Sequence, residues 1–273
     1  MWGENLNLVK PAIKNIFYKG DIKLLTNEKP RLAIVGSRRM TEYGAKVIEK
    51  WMSKLVDAGI IIVSGFMYGV DQKAHTECLN NGGKTVAVLG WGIDWPVVED
   101  DVEIYEKILE SDGLILSEYE GKAIPELWKF PQRNRIVAGI CDAVLVIEGA
   151  EKSGSMITAK LAKQFDKVLL ALPGQVTSKV AEGTNNLIKK GEAIMVTSVE
   201  DVLKEMGLGE GQMSLLGEAK ILDPILEILE NEGKSVDELA RILRQPAQEV
   251  LIKLNNLSLR GLVEEKNGKY FSH

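Results

Sequence analysis

The residues best placed to do chemistry near the start of the chain are Arg38 and Arg39, which follow a glycine. Residues 32–35 predict a short buried strand, Gly36 permits a tight turn after it, and a helix is able to begin at Thr41. Unpaired amides at a helix start, beside fixed positive charge, form a site for a phosphate-sized anion. The same pattern fits an ordinary strand–turn–helix with solvated arginines, so both interpretations stay open at this point.

Small residues recur where later strands are predicted to end. Ser64 and Gly65 precede one helical stretch, and Ser153, Gly154 and Ser155 precede another. Because the carboxyl ends of parallel strands meet at one edge of a sheet, we expect these turns on the same edge as the first. Their small side chains and free amides favour the binding of an extended anion.

A third basic segment, residues 129–135, lies in the long connection between the fourth and fifth predicted strands. Arg133 and Arg135 point the same way if this segment is extended, and they diverge if it is helical. They would either clamp a phosphate beside a stacking aromatic ring, or one of them is a buried structural arginine. In the second case Glu118 or Glu148 is the natural ion-pair partner.

Several familiar catalytic patterns are missing from the sequence. There is no G-x-x-x-x-G-K-[ST] loop, and no G-x-G-x-x-G follows a predicted strand, so ATP hydrolysis and dinucleotide binding lack their usual phosphate-binding turns. His75 lies four residues after Asp71, which favours a pair that fixes the helix start over a general base. Glu118, Glu148, Asp71 and Asp94 fall on the ligand edge but form no recognisable acid–base couple.

Composition bounds the class of protein. The 273 residues are 45% hydrophobic and 27% charged, which is ordinary for a globular chain of two domains. No apolar run approaches the roughly 20 residues that span a bilayer, and the N-terminus has no apolar signal core, so we expect a cytoplasmic protein without membrane contact. Two cysteines and two histidines without a cluster give no expectation of a disulfide, a zinc site or a cofactor. The net charge of −5 argues against general coating of DNA but allows a local basic groove.

The elements that must position these groups alternate regularly from Arg31 onward. Uniformly apolar segments predict strands buried on both faces, and helical stretches lie between most of them. Apolar residues recur every four positions in residues 41–58 and in the next helix, so Trp51 and Cys78 are expected in the core. The pattern predicts an α/β fold with a doubly wound, mostly parallel sheet. Its predicted strands are residues 32–35, 60–63, 85–89, 114–116, 143–147, 168–171 and 193–196.

The remaining segments predict the domain organisation. Residues 1–29 are expected to be a lead-in docked on a main domain of residues 30–206, and the glycine-rich residues 207–218 are expected to be a linker. Residues 219–273 predict three helices and a hairpin, which is typical of a small winged-helix domain. Because this segment carries more acidic than basic residues, we favour a protein-contact or structural role over reading of a DNA groove.

Six motifs, in this order, resemble the DprA/Smf (DNA processing protein A) family: VGSRRMTEYG, SGFMYGVDQKAH, TVAVLGWGIDWP, FPQRNRIVAG, VIEGAEKSGSMITA and EGTNNLIKKGEA. The resemblance covers about residues 31–196. It implies an extended Rossmann-like domain that binds single-stranded DNA, a homodimer, the recombinase RecA as a partner, and no enzymatic activity. In that family the protein protects incoming single strands during natural transformation and helps load RecA onto strands covered by single-strand binding protein.

The resemblance also carries the family's DNA pocket onto matching positions of this sequence. Those positions are Ser37, Arg38, Ser64, Gly65, Arg133, Asn134, Arg135, Lys152, Ser153, Gly154 and Ser155. The sequence departs from the family at Phe66 and Met67, which replace smaller residues and would narrow the pocket or supply a stacking ring. It also departs at Cys141, where serine is common in the family.

The leading hypothesis is therefore a non-enzymatic recombination mediator that binds single-stranded DNA without a cofactor. The runner-up is a small-nucleotide sensor or nucleotide hydrolase of the LOG-like group, with Glu118 or Glu148 acting at a ribosyl bond. The P-G-G-x-G-T-x-x-E pattern of that group is absent from the sequence. The residues predicted to bind DNA or phosphate are Gly36, Ser37, Arg38, Arg39, Ser64, Gly65, Phe66, Arg133, Asn134, Arg135, Lys152, Ser153, Gly154, Ser155 and Thr158.

Overall fold

The structure, a computed structural model, describes residues 9–26, 28–208, 224–229, 233–243, 245–259, 263–266 and 268–272. The chain divides into two compact units, Met1–Met213 and Ser214–His273. Most of the linker expected at residues 207–218 lies outside the described residues. The exact domain boundaries therefore stay a prediction.

The first unit is built on an eight-stranded sheet in the order β1-β5-β4-β3-β2-β6-β7-β8. Its first strand is antiparallel to β5 and every other pairing is parallel. The α/β, mostly parallel fold is thus confirmed. The strands are β1 Phe17–Gly20, β2 Arg31–Val35, β3 Ile61–Ser64, β4 Thr85–Leu89, β5 Leu114–Ser117, β6 Ala143–Val146, β7 Val168–Ala171 and β8 Ile194–Met195.

Helices cover both faces of this sheet. Alternate residues of β2 enter different cores, with Ala33 and Val35 in one and Leu32 and Ile34 in the other. Burial on both faces explains why the strands are continuously apolar. The helices are α1 Glu42–Asp57, α2 Val70–Asn80, α3 Glu99–Glu110, α4 Lys129–Gly139, α5 Gly154–Gln164, α6 Glu182–Lys189 and α7 Val199–Glu205.

The strand order reverses between β2 and β6, which are neighbours in the sheet. The helix after β2, α1, packs on one face, and the helix after β6, α5, packs on the other. A crevice opens beyond the carboxyl ends of the strands at such a reversal, and ligands of open α/β sheets bind there. The fold therefore places the turns after β2 and β6 side by side.

The strand β1 was not among those predicted from the sequence. β1 is a four-residue edge strand with alternating half-buried and exposed residues, so it lacks the apolar run of the central strands. Its pairing with β5 and the burial of Ile16 and Leu25 in the main core dock the described part of the lead-in on the sheet.

The first helix begins where the sequence predicted, with Thr41 as its N-cap. The buried face of α1 differs from the one that a four-residue repeat through Trp51 predicts. Tyr43, which belongs to that repeat, is 47% exposed, whereas Ile48 and Met52 are buried. Trp51 and, in α2, Cys78 lie in the core as predicted.

The second unit contains three helices and an antiparallel strand pair. They are α8 Pro224–Leu229, α9 Val236–Leu243, α10 Ala247–Leu259, β9 Val263–Lys266 and β10 Lys269–Ser272. Ser235 and Glu238 exchange the hydrogen bonds of a capping box at the start of α9. Val250 and Leu254 are buried, and Leu251 is 40% exposed. The winged-helix description stays a prediction.

Two negative findings concern the described residues only. None of their helices is both long enough and apolar enough to cross a bilayer. No group of three or more His, Cys, Asp or Glu side chains among them is arranged to hold a metal ion.

Candidate nucleic-acid interface

Turns after β2, β3 and β6 enclose an open cavity of about 410 Å³ at the carboxyl edge of the sheet. We call it the cationic cavity. It brings together most of the residues that the sequence predicted: Gly36, Ser37, Arg38, Arg39, Gly65, Arg133, Asn134, Ser153, Gly154, Ser155 and Thr158. The expectation that these turns share one edge is therefore met by the geometry.

The N-terminus of α1 is not free to bind an anion, contrary to one interpretation of the sequence. The carboxylate of Glu148 accepts a hydrogen bond from the backbone amide of Thr41 at 2.8 Å and another from its hydroxyl. Thr41 in turn caps the amide of Gly44. An internal carboxylate thus occupies the positive end of this helix.

The N-terminus of α5 is open instead. Ser153 is the N-cap residue in an extended conformation, yet its side chain caps no amide of the helix. Its hydroxyl lies 2.7 Å from that of Ser155, and the side-chain amide of Asn134 donates to the carbonyl of Gly154 at 3.2 Å. The amides in the first turn of this 11-residue helix therefore border the cavity. Because the N-cap side chain does not bind them, they can bind an external anion.

Two exposed arginines face this helix start across the cavity. The guanidinium of Arg38 lies 5.5 Å from the ring centroid of Phe130, within cation–π range. The backbone amide of Arg39 donates to the hydroxyl of Ser37 at 3.0 Å, which fixes the turn that carries both arginines. Half-buried Phe130 also lines the cavity, so a cation and a ring are presented together.

Arg133 forms the floor of the cavity. Its guanidinium is buried and donates to the carbonyls of Gly65 and Val88, at the ends of two strands. Burial lowers the pKa of Arg133 to about 10 and raises that of the neighbouring Asp71 to about 6, the second shift being opposed by the charge of Arg133. A Cβ atom on Gly65 would lie 2.5 Å from the Asp71 carboxylate and 2.6 Å from Arg133, so only glycine fits between this pair.

Comparison with known proteins bears on what this cavity does. The sequence profile of DNA recombination-mediator protein A matches residues 1–207. The chain belongs to this family. Its relatives include DNA processing protein DprA of Streptococcus pneumoniae, 41% identical over 192 residues, which cover 70% of this chain and 66% of that protein. Protein Smf of Escherichia coli is 33% identical over 266 residues, covering 93% and 70% of the two chains.

Solved structures of the DprA family share the fold. The S. pneumoniae DprA structure has a TM-score of 0.69 at 38% identity, covering 75% of this chain and 70% of that one. The Helicobacter pylori DprA structure has a TM-score of 0.68 at 30% identity, covering 79% and 93%. The H. pylori structure is described as giving insight into a single-stranded-DNA-binding mode of that protein.

Four of the residues predicted to bind DNA or phosphate lie outside the lining of the cavity. Ser64 is buried beneath it, where its hydroxyl donates to the carbonyl of Ile34 at 2.6 Å. Lys152 is exposed on the loop before α5. The other two, Phe66 and Arg135, are buried.

Arg135 is a structural arginine, and the clamp interpretation is wrong for it. Residues 129–139 form α4, so Arg133 and Arg135 diverge as they must on a helix. Arg135 is 3% exposed and its Nη2 lies 2.5 Å from Glu118. A charge committed to a buried partner is not available to a phosphate.

Phe66 is also unavailable as a stacking face, because its ring is 1% exposed and packs in a hydrophobic cluster. Of the two rings suggested by the sequence, the cavity presents Phe130. Two apolar side chains, Met67 and Leu127, also line the cavity, and the second was not predicted from the sequence. Leu127 is 87% exposed in an irregular loop, and no periodicity marks such a residue in a sequence.

The predicted pair of Asp71 and His75 does not form. Nδ1 of His75 lies 2.7 Å from the hydroxyl of Thr85, which itself donates to the carbonyl of Ile62 at 2.9 Å. The hydroxyl must therefore accept from a protonated Nδ1. Burial, with a smaller contribution from the charge of Arg133, lowers the pKa of His75 to about 3. Asp71 instead accepts hydrogen bonds from the backbone amides of Gly65 and Met67 and lies within the electrostatic influence of Arg133.

Proposed function

We propose that this chain binds single-stranded DNA across the cationic cavity and acts as a recombination mediator that performs no chemistry on the strand. One observation carries the proposal: the open start of α5 faces exposed Arg38 and the ring of Phe130 across a single cavity. Amides and cations suit phosphates, and a ring suits an unpaired base. Membership of the DNA recombination-mediator family and the description of the H. pylori relative support it.

The proposal gives the site residues separate roles. Phosphates lie on the amides of Gly154 and Ser155 and against Arg38 and Arg39, while Lys152 adds charge at the rim. Gly36 and Ser37 shape the turn that carries the arginines, Asn134 holds the start of α5 through the Gly154 carbonyl, and Thr158 forms part of the wall one turn into that helix. Arg133 sets the floor through its two carbonyl contacts.

Homodimerisation and loading of RecA belong to the same proposal and rest on the family alone. Sedimentation equilibrium tests the first. The second is tested by RecA-dependent ATP hydrolysis on strands already covered by single-strand binding protein, with and without this chain. A monomer at all concentrations, or a RecA lag that this chain does not shorten, would remove these two roles and leave DNA binding standing.

A nucleotide hydrolase is not favoured by any contact of the site. The two carboxylates that it would use are engaged elsewhere, Glu148 at the start of α1 and Glu118 with Arg135. Neither lines the cationic cavity. Release of free base from nucleoside monophosphates, followed by chromatography, would show otherwise.

The test of the main proposal is the salt dependence of strand binding. The double variant Arg38→Gln/Arg39→Gln is compared with Lys50→Gln/Lys54→Gln, which removes the same charge from exposed positions near the other end of α1. Each lost phosphate contact lowers the log–log salt slope by about 0.7 for single strands. We expect the arginine variant to bind more weakly with a flatter slope and the lysine variant to match the wild type. Equal slopes in both variants would contradict the proposal.

A further inference from the structure

A second cavity lies beside the cationic cavity. This aromatic cavity encloses about 180 Å³, and its walls include Phe66, Tyr68, Trp91 and Trp95. It shares Met67 and Phe130 with the cationic cavity. The two cavities are therefore contiguous at Phe130.

One loop, residues 65–69, separates the two cavities. Gly65 and Met67 line the cationic cavity, whereas Phe66, Met67 and Tyr68 line the aromatic one. Phe66 adopts a φ of 58°, a left-handed conformation that aromatic residues rarely occupy. Strained backbone of this kind is retained where the surroundings enforce it, often at binding sites. Here it directs the Phe66 ring into the wall of the second cavity.

The walls of the aromatic cavity are braced by ring contacts. Trp91 meets Phe66 edge-to-face at 6.4 Å and Phe130 at 6.2 Å between ring centroids. Such pairs hold rings in fixed orientations. Tyr68 is 55% exposed and Trp95 is half-buried, so the mouth of the cavity is open to solvent through aromatic surface.

Size and chemistry indicate the occupant. The volume is below the roughly 300 Å³ at which pockets for drug-sized ligands begin, and it suits one flat ring system. Apolar aromatic walls next to a cationic groove are the arrangement that binds unpaired bases, since every base has a π-face. The indole N–H of Trp91, a wall residue, is buried and has no acceptor among the described residues.

We propose that the aromatic cavity holds one nucleobase of the strand whose phosphates lie in the cationic cavity. The inference rests on the proposed function, because it requires a single strand in the neighbouring site. Phe130 contributes to both cavities, so the base stacked on its exposed face and the base in the aromatic cavity are neighbours in the strand. A path that alternates phosphate and base sites binds single strands and excludes a duplex, whose bases are not free to enter.

The test compares a thymidine oligonucleotide with an abasic oligonucleotide of the same length and phosphate count. We expect the wild type to bind the thymidine strand about tenfold more tightly. Tyr68→Ser and Trp95→Leu should remove most of this difference without changing affinity for the abasic strand. Tyr18→Ser, at a 45% exposed tyrosine on β1 outside both cavities, is the matched control and should behave as wild type.

Photocrosslinking of the wild type with an iodouracil oligonucleotide locates the base without any variant. Crosslinks to Phe66, Tyr68, Trp91 or Trp95 support the proposal, and crosslinks confined to residues outside the walls of the aromatic cavity overturn it. A wild type that binds both strands equally, or variants that keep the full preference for bases, also overturn it while leaving the proposed function intact. A wild type that binds neither strand overturns the proposed function and this inference together. If an aromatic peptide bound in the aromatic cavity and no oligonucleotide displaced it, the cavity would serve a protein partner and the proposal would be overturned.

Discussion

The carboxylate of Glu148 accepts a hydrogen bond from the Thr41 amide at 2.8 Å and a second from the Thr41 hydroxyl. Glu148 follows strand β6 closely. The contact joins the turn that follows β2 to the turn that follows β6. The starts of α1 and α5 therefore differ: the Glu148 side chain binds at the start of α1, whereas the N-cap side chain of α5 caps no amide of its helix. The proposed anion site therefore lies at the start of α5 and not at the start of α1.

The first prediction concerns the stability that Glu148 supplies. Hydrogen bonds to a charged acceptor contribute about 1.5–3 kcal/mol each, so the loss of two in Glu148→Ala should lower the free energy of unfolding in urea by roughly 3–6 kcal/mol. Glu148→Gln keeps one carbonyl acceptor and should lose less. Neither change should alter the salt slope of strand binding. If Glu148→Ala left stability unchanged but abolished a nucleotide-cleaving activity, Glu148 would be a catalytic group rather than a helix cap.

The second prediction concerns the buried pair of Arg135 and Glu118. Removing one member leaves the other charge buried, which typically costs about 3–5 kcal/mol. Arg135→Met should therefore be strongly destabilising, and Arg135→Met combined with Glu118→Leu should recover much of the loss. Chemical denaturation measures both. The double variant should bind strands with the wild-type salt slope, and a flatter slope would restore Arg135 to the list of phosphate contacts.

The third prediction is a pH dependence in which two buried groups oppose each other. The pKa of His75 is lowered to about 3, so its contribution to stability is present above about 6.5 and is lost as the pH falls toward 3. The pKa of Asp71 is raised to about 6, so its contribution is present below the ordinary value of 3.8 and is lost as the pH rises through 6. Between pH 4 and 6 the two contributions have opposite slopes of up to about 1.4 kcal/mol per pH unit.

Single variants separate these slopes. Relative to wild type, His75→Asn should become more stable as the pH falls from 6 to 4, and Asp71→Asn should become less stable over the same range. Urea unfolding at several pH values measures the differences, in which all other titrating groups cancel. Parallel curves for the wild type and both variants would mean that neither group titrates as its burial requires.

The sequence was sufficient for the sheet because the central strands are buried on both faces. β4 and β7 occur at the predicted residues, and Thr41 begins α1 as its position before an amphipathic segment indicated. β1 could not be found in this way, since a half-exposed edge strand has no continuous apolar run. Because the central strands were predicted correctly, the turns that directly follow them were identified too, and three of those turns meet at the cationic cavity.

The orientation of side chains within those turns was not predictable. Sequence spacing places Arg133 and Arg135 near the edge but does not say which carboxylates face them, and the helix sends them to Asp71 and Glu118 respectively. Phe66 was expected to offer a ring, and an unusual backbone conformation buries it. Both outcomes depend on partners distant in sequence, which local patterns do not specify.

The last prediction is that a negative charge at the start of α5 raises the stability of the protein and lowers its affinity for a single strand. Ser153→Asp places a carboxylate at the N-cap of this helix, where a negative charge stabilises by about 0.3–1 kcal/mol and the side chain can cap a free amide. The variant should therefore unfold at a slightly higher urea concentration. The same charge occupies and repels the position proposed for a phosphate, so affinity for a single strand should fall by at least tenfold. Ser153→Asn caps equally well without charge, and it should gain stability while keeping most of its affinity. Fluorescence anisotropy with a labelled oligonucleotide measures the second effect. If Ser153→Asp bound as tightly as Ser153→Asn, the amides of α5 would not hold a phosphate and the strand would have to follow another path.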